Sequence, residues 1–178
     1  MDGCADSSVI FLNDTGFVEV SRTLRTVTRI GFKKDLQAPS VTIGSAAAAI
    51  DLPNGPVIVQ INEAPLIEGP GNSLLSTVQS RENSVKVDDV AKRHGGTQRI
   101  HVDNRILPLK LQRGLLHLPI RKPTEWELEK LPRIHLTSEE PWDPATVNDG
   151  DEGKLIYPDE DDADDELNDF LRSINLTE

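Results

Sequence analysis

The chain has 178 residues, with 19 Lys+Arg against 30 Asp+Glu and a net charge of -11. That length provides one ordinary domain plus tails, and the charge repels phosphate backbones, so no direct nucleic-acid partner is expected. With one cysteine (Cys4), no apolar run near the roughly 20 residues that cross a bilayer and no basic leader before an apolar segment, the chain is expected to form no intrachain disulfide, to have no membrane partner and to lie in the cytoplasm or nucleus.

In chain order, Val9-Ile10-Phe11-Leu12 reads as a buried strand, with Phe17 to Val20 as its hairpin partner across Asn13-Asp14-Thr15-Gly16. Leu24 to Ile30 reads as a strand, Gly31 to Pro39 as a loop, and Val41 to Ile50, with its four alanines, as strand or helix. Asp51 to Pro56 is a turn, Val57 to Ile61 a strand, and the stretch holding Pro65, Gly69, Pro70 and Gly71 a loop. Ser76 to Glu82 allows one or two helical turns. Ser84 to Asp88, Arg99 to Val102, Ile106 to Leu111 and Leu115 to Ile120 are short strands between turns. Pro123-Thr124-Glu125-Trp126-Glu127 then carries a capping box, Thr124 with Glu127, that predicts a helix ending at Leu131 before Pro132. From Thr137 the composition is polar and acidic and reads as a disordered tail, within which Leu167, Phe170, Leu171 and Ile174 recur at helical spacing. The expected organisation is an all-β domain over 1–122 (core 1–90, extra strands 91–122), a short helix and linker over 123–136, and the tail over 137–178 with an amphipathic helix near 166–175.

His94, His101, His117 and His135 share no ligand spacing, so no metal site or cofactor is expected. Aspartates offer more. Two carboxylates facing each other over one water cannot both ionise, and the shared proton lets one act as base and the other as acid. A chain of this size has room for one such loop, so the pair requires a twofold homodimer. Asp14-Thr15-Gly16 is the literal Asp-Thr-Gly triplet of such enzymes, but its turn chemistry explains it.

The order of several pieces resembles the protease region of Ty1/copia-type retrotransposon polyproteins, between nucleocapsid and integrase. Asp2, Ala5, Asp6 and Val9 match that family's active-site register. Val57 to Ile61, Glu63-Ala64 and Asn72-Ser73-Leu74-Leu75-Ser76 are similar to the strand, loop and Asn-x-Leu-Leu-Ser stretch that closes beside its active site. Val90 to Leu109 is similar to the next segment of those polyproteins, and Pro123-Thr124-Glu125 and Pro141-Trp142-Asp143-Pro144 to its end. The resemblance implies a retropepsin-like closed barrel of short strands, with Asp2 as catalytic residue and Asp6 ranking second. Ala5, Asp6, Leu74, Leu75 and Ser76 would support the loop, and a flap near Ile30 to Ser45 would hinge at Gly31 and Gly44. Gly3 and Cys4 depart from the family's Ser/Thr and Gly, and Met1 stands where a leading strand would end, so a domain truncated at its start is expected. The implied function is an aspartic endopeptidase acting on a polypeptide as a homodimer. The alternative is a non-catalytic β remnant whose acidic tail binds a partner.

Overall fold

The computed structural model describes residues 6–12, 16–25 and 41–148. The residues up to Trp142 form one compact unit and those from Asp143 a second. The first is mostly β. Its strands are β1 (Ile10–Phe11), β2 (Val18–Arg25), β3 (Val41–Leu52), β4 (Gly55–Ile67), β5 (Lys86–Asp88), β6 (Arg99–Val102), β7 (Arg105–Pro108), β8 (Lys110–Gln112), β9 (Leu115–His117) and β10 (Arg133–His135). Among the described residues it also has two short helices, α1 (Thr77–Glu82) and α2 (Glu125–Lys130), and a 3₁₀ turn at Lys92–His94.

The main sheet has five strands. β3 pairs antiparallel with β2 on one side and β4 on the other, while β10 and β1 both pair parallel with β4. β10 lies along Ile58 to Gln60 and β1 along Leu66 and Ile67, so the two occupy separate stretches of β4. The other strands form a three-stranded sheet, β5-β6-β7, and a hairpin, β8-β9.

The ambiguity over the alanines resolves as strand. Ala46 and Ala48 face the large core with Ile50, Val59, Ile61, Ile100, Leu107 and Ile134. Ala47 and Ala49 face the opposite side with Ile58, where Val18, Leu128 and Leu131 cover them. A strand buried on both faces needs no polar alternation, which is why its sequence carries no period-two signal.

Several expectations are corrected. No closed barrel forms among the described residues, and β3 and β4 are 12 and 13 residues long rather than short. The strand at Val9–Leu12 does not pair with Phe17–Val20: β1 joins β4, and β2 joins β3. The loop expected at Pro65 is strand, Pro65 lying opposite Ile43. A bulge that sets Asn62 and Glu63 (φ 53°) of β4 against Ser45 of β3 breaks the regular ladder just before it, the setting in which a strand tolerates proline. The segment 123–136 supplies a strand of the main sheet. Leu136 and Thr137 are fully buried, so the tail composition misleads at its start. The expected helix near 166–175 lies outside the described residues. In the second unit, Pro144–Asn148 form a 3₁₀ turn, and Thr146 donates to the Asp143 carbonyl through N and Oγ1, at 3.1 and 2.8 Å.

The capping box on α2 forms as read. Thr124 Oγ1 accepts from Glu127 N at 3.2 Å, and Thr124 N donates to Glu127 Oε2 at 2.8 Å. Arg121, bridged through its backbone to Ala49 of β3, spreads its guanidinium over Glu127 (2.6 Å) and Asp51 (2.8 Å), fastening the helix to the sheet. That guanidinium, aided by the Thr124 N–H and hydroxyl, holds the Glu127 carboxyl at about 2, below its ordinary 4.5. A depressed carboxylate contributes stability above its unfolded value and loses it as pH falls through its folded value. The difference in Tm between the native chain and Glu127→Gln is therefore expected to be full above about pH 4.5 and to fade towards about pH 2. Thermal melts of both across that range check it.

Candidate functional site

Asp2 and Ala5, the first residues of the expected active-site register, lie outside the described residues, as do Asp14 and the flap position Gly31. From Asp6 onward the segment is described, and four parts of the chain hold it. Ser8 is fully buried; its N–H donates to Gln79 Oε1 at 2.9 Å, and its hydroxyl oxygen accepts from Ser76 N at 3.0 Å. Val9 exchanges two backbone bonds with Leu74, at 2.9 and 2.8 Å. Phe11 N donates to Ser73 Oγ at 3.0 Å, and Leu12 N to the Ile67 carbonyl at 3.0 Å. The Trp142 indole N–H reaches the Asp6 carbonyl and Ser7 Oγ, each at 3.1 Å. The strand after Asp6 thus runs between the end of β4 and the Ser73–Ser76 stretch, parallel to the first and antiparallel to the bridge at Leu74.

Of the expected supporting residues, Leu74 and Ser76 meet the segment after Asp6 through Val9 and Ser8, while Asp6 itself touches Trp142. Asp6 is exposed at the start of the threaded strand. Leu74 pairs beside Val9, and Leu75 enters the main core. Ser76 also caps α1, its hydroxyl accepting from Gln79 N at 3.2 Å. Gly44, expected as a flap hinge, lies inside β3 between Arg22 and Ala64. A Cβ there would meet the Ser21 carbonyl and, at 2.6 Å, Leu66 Cδ1, so close approach of β2 to β3 accounts for this glycine.

Gln79 was not legible as a site residue. It is 2% exposed, and every polar atom of its amide is engaged. Oε1 accepts from Ser8, and Nε2 donates to the carbonyls of both Asn62 and Glu63, each at 3.3 Å. Successive carbonyls of a regular strand point to opposite edges. The positive φ of Glu63 breaks that alternation and lets one amide reach both. A polar residue in a short helix gives no advance sign of this, because the partner carbonyls are set by a bulge 16 residues earlier. Trp142 carried a family resemblance but no hint of contact with Asp6.

The Asp6–Ser76 arrangement can hold a loop rigidly. Charge and metal chemistry near it are sparse: among the described residues no three His, Cys, Asp or Glu side chains group as metal ligands, and no helix is long and apolar enough to cross a membrane. Comparison with models of known families, with curated proteins and with solved structures found no match to this chain.

Gln79→Met keeps the volume and removes the amide, leaving the Ser8 N–H and two carbonyls without their partner. Denaturant titration is expected to show a loss of about 1–3 kcal/mol, with faster hydrogen exchange concentrated in residues 6–12. Gly44→Val is expected to cost about 1–3 kcal/mol by overpacking, read from the same titration.

Proposed function

We propose that this chain is the retropepsin-like aspartic endopeptidase region of a Ty1/copia-type polyprotein. One observation carries the reading. The two sequence pieces that the resemblance assigns to the active site, Asp6–Val9 and Leu74–Ser76, are far apart in the chain and lie side by side, joined by the Val9–Leu74 bridge and the Ser8–Ser76 bond. The retropepsin-like fold is part of this proposal; the β-rich composition of the domain supports it.

In the proposed mechanism Asp2 of each of two subunits faces the other across the twofold axis. A water between them attacks the peptide carbonyl. One carboxylate removes a proton from the water while the other, protonated because two adjacent anions repel, gives its proton to the carbonyl oxygen. The first then passes the proton it took to the leaving amine as the C–N bond breaks, and the second recovers its proton as the carbonyl re-forms. The bracing of residues 6–12 serves that chemistry by restricting the loop that leads from Asp2, since small losses of alignment cost orders of magnitude in rate. Asp6 would brace the loop or bind substrate backbone.

A second reading, a non-catalytic β module, is favoured by Gly3 and Cys4, which stand where the family has a hydroxyl residue and glycine. A peptide-library cleavage assay at acid pH, with sedimentation to follow dimerisation, separates the two. The peptidase reading expects cleavage by a dimer and a loss of more than about a hundredfold in Asp2→Asn. No cleavage, or cleavage indifferent to Asp2→Asn, would overturn it in favour of the module.

A further inference from the structure

We propose that His135 is a protonation-dependent latch, its ring accepting from buried Asn62 when neutral and turning to Glu139 when charged. The inference is independent of the peptidase reading. It begins with a directional relay of hydrogen bonds along β4 and β10. Arg133 Nη1 donates to Gln60 Oε1 at 2.7 Å. A guanidinium can only donate, so Gln60 must present its oxygen there and its Nε2 onward, where it donates to Asn62 Oδ1 at 2.6 Å. Asn62 therefore turns its Nδ2 the other way. That group donates to the Thr137 carbonyl at 2.9 Å and lies 3.1 Å from His135 Nδ1. The Thr137 carbonyl, which can only accept, imposes the same amide orientation independently. With one Nδ2 hydrogen on Thr137, the other points at His135, so Nδ1 must carry a lone pair and the ring proton must sit on Nε2.

Adding a proton to Nδ1 would set one N–H against another. Asn62 is 1% exposed, so water does not take over the orphaned donor. Glu139 Oε1 stands 3.4 Å from the same Nδ1. A carboxylate only accepts, so it offers nothing to the neutral tautomer at that atom and a charged partner to the imidazolium. Further groups lie around the histidine. Asn83 Nδ2 donates to the His135 carbonyl, and Gln60 is its register partner on β4. Arg133, the other charge on its strand, is held by Gln60 and the Leu128 carbonyl. The ring is 38% exposed and rims an open depression with Asn83, Thr137, Ser138 and Glu139, so protons reach it. The partner exchange has a path inward: the Asn62 carbonyl accepts from Gln79, and Gln79 holds Ser8.

The test is NMR of the full chain from about pH 8 to pH 5, the range over which imidazoles exchange protons. The Asn62 side-chain amide is expected to shift with pH, and the protection factors of the Asn62 and Ser8 amides to fall about tenfold at the acid end. In His135→Asn, whose Oδ1 can stand where Nδ1 stood, both changes are expected to vanish. Glu139→Gln, a surface change that leaves the core intact and removes the charged partner, is expected to lessen the fall in Asn62 protection at the acid end. An Asn62 amide indifferent to pH in the native chain, or one following pH equally in His135→Asn, would overturn the proposal. If His135→Asn does not fold, an undiminished fall in Asn62 protection in Glu139→Gln would overturn it equally.

Discussion

The structure depends on how the outer edge of β4 is covered. A buried strand cannot leave backbone N–H and C=O groups without partners. Here no single neighbour runs the length of β4: β10 covers Ile58 to Gln60, β1 covers Leu66 and Ile67, and a gap remains between them. Side chains close it. Thr137 Oγ1 accepts from Asn62 N and donates to Asn62 O, and Gln79 Nε2 takes the carbonyls of Asn62 and Glu63. The Leu136 N–H, on the Gln60 carbonyl, continues the β10 pairing into the gap. Two side chains do there what a third strand would have done, and they come from α1 and from the segment after β10.

This arrangement ties remote segments into one unit. The same Gln79 that serves β4 also receives the Ser8 N–H, so the gap and the threaded strand share a partner. The same Glu63 whose φ permits the double carbonyl contact accepts from Trp142 N through its carboxylate, while the indole of Trp142 reaches Asp6. The core around these bonds is aliphatic, as 4% aromatic content requires. Alanines at the centre of β3 let layers pack on both faces of it. An unpaired polar group in such surroundings is costly, which is why the buried polar side-chain atoms are almost all engaged. Among the described residues the exception is Thr77 Oγ1, for which the packing offers no partner.

What could be read in advance was local. The capping box at Thr124–Glu127 formed with both bonds, because its chemistry is contained in four residues. Arg99–Val102 is a strand with the expected bounds, and the turn after it places Asp103 at φ 50°, a conformation aspartate tolerates. Within the site, Val9 and Leu74 are paired although they lie far apart in the chain. The errors were errors of partnership. Val9–Leu12 and Phe17–Val20 looked like a hairpin because they are adjacent and apolar, yet each found a better-matched strand elsewhere. Pro65 looked like a loop because the bulge that accommodates it depends on Asn62 and Glu63 of β4 standing opposite Ser45 of β3 across the sheet.

The amino-acid sequence by itself determined the β-rich class, the aliphatic interior, the site of α2 and its cap, and the short strands between turn residues. These follow from side-chain size, period and capping, all set within a few positions. The tertiary structure alone decided that β1 lies between β4 and Leu74, that Gln79 and Thr137 replace missing strand pairing, and that Trp142 returns to Asp6. A backbone group acquires its partner only when distant segments meet, and no local pattern encodes which donor will stand opposite a given carbonyl.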